Sequence, residues 1–444
     1  MGKAVVQNLL PETEVTVPRT STTIFVLLLL IPFASTIVYG GVDTGSWVIL
    51  MLVGALMASL WLTQGLATGQ IELGKNVLVL PLIGLILIGL IQIIPVFSGG
   101  TISLDPYSTR LFVVRLCVYA IFFAAAITFI NSERRIKIAT IAVIIFGTLL
   151  AFFAILQRLA NPEAIYGLRE ARQAIPFGPF VNQHHFAAFM EMTAALTFAL
   201  LFSSAVKRNS KVFLGIAAVI MGVACILTSS RGGLLSFAAG FVFVIFLTFF
   251  KTKDSRTPKV KSYSLVAIAG VSIAVLMVAI VLYVGGNDSL LRGIGMSGTQ
   301  ADVTNGRFHF WGIAVQIFLD HPILGAGLDA FGVAFPKYDT WTGIFRVEQA
   351  HNDYLQTLAD SGVAGIICVG TFIGLLFRNG LQTIKFAENG LRKAFSIGAL
   401  GGCFAILIHS FVDFPLRTPS NAFFFLLLAA IATISIRNNN LKVA

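Results

Sequence analysis

Apolar residues run through this chain in stretches of about 20, broken by short polar segments. A bilayer core of about 30 Å needs that length of helix at about 1.5 Å per residue. The pattern predicts twelve spans, at approximately 23–40, 46–64, 76–97, 111–130, 136–157, 183–204, 211–228, 232–250, 263–284, 357–377, 394–412 and 421–436. A membrane β-barrel would instead read as short alternating segments, which this pattern lacks. The fold class expected is an all-α polytopic membrane protein, one integral domain over residues 1–444. The first 22 residues are polar, and the run from Thr23 has no clean small-residue cleavage site, so it reads as a membrane anchor.

Two segments between spans are long. One is 158–182, and the other is a large external loop of about 285–356 between spans nine and ten. Loops of that length inside a membrane protein are usually functional or disordered. The stretch "NGRFHFWGIAVQIFLDHPILGAG" argues for function, because it holds an amphipathic helix. Thr304 or Asn305 is the expected cap, and Asp320, His321 and Pro322 the expected end. Phe308, Trp311, Ile313, Ala314, Ile317 and Phe318 form its apolar face, suited to the membrane interface.

Composition supports the membrane reading: 57% of the residues are hydrophobic, 11% are charged, and the mean hydropathy is +0.88. A soluble domain carries about 25% charged residues. The net charge of +11 points to orientation rather than to nucleic acid. With both termini cytoplasmic, Lys3, Lys75, Lys137, Lys207, Lys211, Lys251, Lys253, Lys259, Lys261, Lys385, Lys393 and Lys442 are all inside, and Lys337 alone is outside. Ten arginines resist this rule: Arg110, Arg115, Arg158, Arg169, Arg172, Arg231, Arg292, Arg307, Arg346 and Arg417. Arginine suits bidentate recognition of phosphate or carboxylate. The simpler reading for each is snorkelling to headgroups or pairing with acids in the loops. Cys117, Cys225, Cys368 and Cys403 lie in apolar runs without a CxxC partner and read as small hydrophobes.

Candidate chemistry gathers at span ends. "HNDYLQTLADSG" puts His351 before a long apolar run. A neutral imidazole near pH 7 is the usual general base, although an interfacial histidine is the plainer reading. Asp353 and Asp360 read as helix-end and loop polar groups. In "TSSRGGLLSF", Arg231 stands where span seven turns into span eight; the alternative is a tight turn with a snorkelling arginine. Arg307 opens the loop helix, and the two arginines form a candidate diphosphate clamp. "GPFVNQHHFAAFMEM" brings Asn182, His184 and His185 to the start of span six and Glu191 two turns inside it. No carboxylate or cysteine stands at convincing ligand spacing from the histidines, so the expected site is metal-free. His409, Asp413 and Arg417 recur every fourth residue, as in a helical salt-bridge ladder that Pro415 would interrupt. All five features fall on the outer side of the lysine-derived topology.

These residues together resemble the O-antigen ligase and polymerase superfamily of bacterial membrane glycosyltransferases. The ligase signature is a histidine, then Asn, Ser or Gln, two residues, a leucine, six residues and a glycine. Here it reads His351, Asn352, Leu355 and Gly362. Arg231 and Leu235 match the family's arginine-x3-leucine pattern, and the segments Asn182 to Phe186 and His409 to Pro415 are also similar. The resemblance covers nearly the whole chain. It implies a GT-C-like enzyme of the inner membrane with its site on the periplasmic side. Such an enzyme inverts the anomeric carbon and uses an undecaprenyl diphosphate donor, with neither metal nor other cofactor. By carry-over, Arg231 and Arg307 hold the diphosphate and His351 is the base or orienting group. Asn182, His185 and Asp413 are the further candidate substrate contacts.

The acceptor stays open. A ligase uses a lipid A-core sugar, a polymerase uses another lipid-linked repeat, and related enzymes glycosylate protein hydroxyls. The complete histidine signature favours the ligase. A lipid-linked glycan transporter is the non-enzyme alternative; inverted repeats and midplane polar residues would mark it, and neither is visible here. A peptidoglycan polymerase would place an essential acid, rather than a histidine, in an external loop.

Overall fold

Helices form where the apolar runs lie, and short polar side chains start many of them. A computed structural model describes residues 19–95, 100–161, 163–171, 174–249, 306–341 and 346–434. The helices before the large loop are α1 (Arg19–Ile37), α2 (Thr44–Thr68), α3 (Val79–Gln92), α4 (Pro106–Phe129), α5 (Glu133–Ala160), α6 (Gln183–Phe202), α7 (Arg208–Leu227) and α8 (Arg231–Phe249). After them come α9 (Arg307–Asp320), α10 (Phe331–Ala334), α11 (Asp353–Lys385), α12 (Gly390–His409) and α13 (Pro419–Thr433). Asp105, Ser132, Asn182, Asn352 and Asn389 accept hydrogen bonds from first-turn amides of α4, α5, α6, α11 and α12. These residue types favour helix starts because a side-chain oxygen satisfies an otherwise unpaired N–H.

Nine described helices are long and apolar enough to cross a membrane, and α3 and α13 are shorter apolar helices. They account for eleven of the twelve expected spans, usually within a few residues. The ninth expected span, 263–284, lies outside the described residues, as do Arg172, Arg292, Thr304 and Asn305. The protein is an all-α polytopic membrane protein. The segment between α5 and α6 adds one small antiparallel pair, Ala164–Ile165 against Arg169–Glu170.

The bundle is layered around α13 and α6. Every residue of α13 is buried, and so is nearly every residue of α6. α12 packs against both and against α8, while α4, α1 and α11 cover α13. The membrane-facing sides of α2, α5 and α7 keep large apolar residues exposed, among them Leu52, Leu149 and Val219. An apolar exterior is what a lipid solvent selects.

Lys137, Lys207, Lys211, Lys385 and Lys393 fall at one end of the bundle, near the starts of α5, α7 and α12 and the end of α11. Asn389 donates to Glu133 there at 2.7 Å, and buried Arg392 donates to the carbonyls of Ile431 and Ile434. At the opposite end, α6, α8, α11 and α13 start and α12 finishes.

The described part of the large loop folds onto that opposite end. α9 lays Ile313, Ala314 and Ile317 against Phe331, Phe335, Leu355 and Ala359. Its N-cap position is Gly306, in the left-handed conformation and without a side-chain cap. Phe308, on the expected apolar face, is 67% exposed. Gln92 fixes the following turn, donating to the Leu324 and Asp360 carbonyls and accepting from Leu328 N.

Candidate active site

The signature from His351 to Gly362 has a separate local cause at each position. Asn352 caps α11, accepting from Tyr354 N and Leu355 N, and donates to the Phe411 carbonyl at 2.9 Å. Leu355 packs against the loop core. Gly362 breaks α11 with φ +60° and ψ −159°. A β-carbon there would lie 2.5 Å from the Ile323 carbonyl carbon and oxygen. The break frees two amides, and the loop accepts them: Val363 N donates to Pro322 O and Ala364 N to Ile323 O. The glycine thus welds the large loop to α11. His351 itself has φ +52°, a conformation uncommon for a side-chain-bearing residue. Such strain often accompanies a functional position.

That turn brings His351 to Asp413. Nδ1 lies 3.3 Å from Asp413 Oδ1, an ion-pair distance whose angles fall short of a hydrogen bond. The other carboxylate oxygen, Oδ2, accepts from Arg307 at 3.3 Å. Asp413 is buried, whereas Arg307 and His351 are partly exposed. Burial alone would push the Asp413 carboxyl up, yet it is held well below the usual carboxylate range by the imidazole of His351 and by His184 and His185 nearby. Phe414 meets the His351 ring edge-on, with centroids 4.8 Å apart, and Phe310 covers it from α9.

His184 and His185 arrive from the start of α6. His184 Nδ1 is 2.8 Å from Ser230 Oγ, in the turn before α8. His185 is buried, with Nδ1 2.7 Å from Thr418 Oγ1 and Phe414 against its edge. Asn182 is engaged as the α6 cap, accepting from His184 N at 2.8 Å. Arg231 is the first residue of α8 and is exposed. Among the described residues its guanidinium has no ion pair or hydrogen bond. Gly232 beside it packs against His409 and Val412, so Arg231 stands at the same corner as Asp413. Of the expected residues, His351, Arg307 and Asp413 touch as one cluster. His185 and Arg231 border it, and Asn182 supports it through the α6 cap.

The expected ladder of His409, Asp413 and Arg417 does not form. α12 ends at His409, so the three side chains leave a turn rather than one helix face. His409 Nδ1 turns inward to Glu191 Oε1 at 3.1 Å, both buried. Glu191 therefore bonds a neighbouring helix. Arg417 pairs with Asp329 at 2.9 Å and Asp360 at 2.7 Å, with Asp353 at 4.0 Å. Asp360, expected as a loop polar group, is instead buried within α11. Asp353 does sit at the helix start as expected, but its buried carboxylate accepts from Ser410 and Leu416 N.

Besides Arg307 and Arg417, three more of the arginines that resist the lysine topology have carboxylate partners among the described residues. Arg115 pairs with Asp329, Arg169 with Asp43, and Arg346 with Glu348. Sequence reasoning passed over Ser230, and it singled out His185 rather than the more exposed His184. The signal for Ser230 was its place one residue before Arg231.

No curated protein matches this chain. The family model described as O-antigen ligase matches residues 216–370, a span that holds Arg231, Arg307, His351 and Gly362. This match supports, over residues 216–370, the resemblance read from the motifs.

Proposed function

We propose that this protein transfers a glycan from undecaprenyl diphosphate to an acceptor hydroxyl, and that the acceptor is a lipid A-core sugar. The observation that carries the reading is the bridge made by Asp413, which holds Arg307 on one oxygen and His351 beside the other. A carboxylate next to Nδ1 favours the tautomer with its proton there. Nε2 then keeps its lone pair to accept the acceptor proton. Arg307 has further N–H donors beyond the one near Asp413, and those of Arg231 have no partner among the described residues. Both suit a diphosphate, whose negative charge grows as the glycosidic bond breaks. Attack from the side opposite that leaving group inverts the anomeric carbon.

The lysine-rich bundle end agrees with a cytoplasmic assignment under the positive-inside tendency, and this supports a site on the periplasmic side of a bacterial inner membrane. The test is complementation of a ligase-deficient strain with the unaltered protein, His351→Ala and Arg231→Ala, reading the lipopolysaccharide on gels. Polymer attached to lipid A-core by the unaltered protein alone supports the proposal. Normal attachment by a folded His351→Ala protein overturns the role of the base. Longer lipid-linked chains without capping of lipid A-core would mark a polymerase.

A further inference from the structure

An aromatic plane beside the reacting cluster has no role in the chemistry described so far. Trp341 stacks flat on His309, with ring centroids 4.2 Å apart and planes 5° from parallel. Its side chain remains 54% exposed, so the opposite face is open. The arrangement is held in place. Asp339 Oδ1 lies 2.8 Å from His309 Nε2 and accepts from Trp341 N at 3.0 Å. One carboxylate oxygen thus fixes both the ring beneath and the backbone of the ring above. Phe310 contacts Trp341 on one side and His351 on the other, at 6.0 and 6.1 Å between centroids. A β-carbon on Gly306 would lie 2.8 Å from the indole, which ties Trp341 to the residue preceding Arg307.

Holding a large apolar plane open to solvent does not help the fold, because burial is what stabilises such a ring. Ligand pockets use such planes with a few fixed polar groups beside them. The axial C–H face of a pyranose ring is the complementary surface in a glycan. We propose that the open face of Trp341 seats one pyranose ring of the substrate glycan, one aromatic ring away from His351. The inference rests on the glycosyl-transfer reading, whose substrates on both sides are sugars. An interfacial anchor in lipid headgroups is the competing use of an exposed tryptophan. The polar clamp by Asp339 and His309, and the place next to Arg307 and His351, favour the sugar.

The test uses the purified full-length protein and two lipid-free probes, released by mild acid from the lipopolysaccharide of the producing cells. One is the core oligosaccharide and the other the repeat-unit oligosaccharide. Saturation-transfer NMR should find binding of one of them to the unaltered protein. Trp341→Ala should weaken it about tenfold, and Trp341→Phe by less. Binding of the core places the platform on the acceptor side, and binding of the repeat unit places it on the donor side. The phenylalanine variant retains an aromatic plane, so partial binding there separates loss of stacking from loss of fold. No binding by the unaltered protein, or equal binding by Trp341→Ala, overturns the platform; the second result would leave Trp341 as an interfacial anchor. Transfer measured on the same preparations is a separate readout. Sugar binding without transfer defeats the glycosyl-transfer reading and leaves the platform standing.

Discussion

His351 Nδ1 lies 3.3 Å from Asp413 Oδ1, although 62 positions separate the two residues in the chain. Neither reaches the other through a shared helix. His351 is aimed by its left-handed backbone and by the Asn352 cap, and Asp413 by the turn that follows α12.

Asp413→Asn should therefore keep the shape and remove the charge. We expect transfer to fall by a factor on the order of 10²–10⁴, the range that a positioned acid–base group supplies. Arg307 also loses its partner, so donor KM should change along with kcat. Steady-state kinetics with each substrate varied checks this, and an Asn variant with unchanged kcat would remove Asp413 from the mechanism.

The depressed Asp413 carboxyl also predicts a pH dependence. Its folded pKa lies below the ordinary value of about 3.9, so its stabilisation is present above that pH. It is lost only as pH falls through the folded pKa. The melting-temperature difference between the unaltered protein and Asp413→Asn should consequently not shrink between about pH 8 and pH 5. A difference that collapses across that interval would mean the carboxyl titrates there.

Gly362→Ala tests the weld between loop and helix. The new methyl meets the Ile323 carbonyl and forces a side-chain-bearing residue into φ +60°. A loss of about 1–3 kcal/mol is expected from the backbone conformation, and the collision adds to it. Thermal unfolding in detergent measures the sum, and an alanine variant as stable as the unaltered protein would show that the break is not required.

The spans were legible because lipid imposes a length and a polarity that read directly from the chain. The signature was legible through its resemblance to the family, and the structure adds why these residue types stand there: Asn352 caps the helix and Gly362 takes a positive φ. Arg417 and Asp360 were not legible. Arg417 stood at helical spacing from Asp413, and Asp360 read as a loop polar group, but their true partners come from other elements. The i to i+4 rule holds only while a helix continues, and α12 stops at His409. His184 and Ser230 were obscure for the same reason, since α6 and the turn before α8 meet only in the folded bundle.

Arg417 tethers the loop at Asp329 to α11 at Asp360, and its side chain is mostly buried. Arg417→Met should cost about 3–5 kcal/mol, because Asp360 is left as an uncompensated buried charge. Adding Asp360→Asn should recover part of that loss by removing the charge. A double variant no more stable than Arg417→Met would mean the pair does not act as a unit.

Arg231 should behave in the opposite way. It is exposed, and no described carboxylate holds it, so Arg231→Ala should change stability by no more than about 0.5 kcal/mol. Its transfer activity should nevertheless fall sharply, because a guanidinium with no partner among the described residues suits a diphosphate at this corner. Arg231→Lys keeps the charge but loses the planar fork, so it should recover only part of the activity. The contrast with Arg417 is the decisive measurement. Both are arginines at the same end of the bundle, one pledged to buried carboxylates and one with no carboxylate partner among the described residues. If Arg231→Ala lowers the melting temperature as much as Arg417→Met, Arg231 is a structural residue. If it melts normally and transfers normally, the diphosphate is held elsewhere.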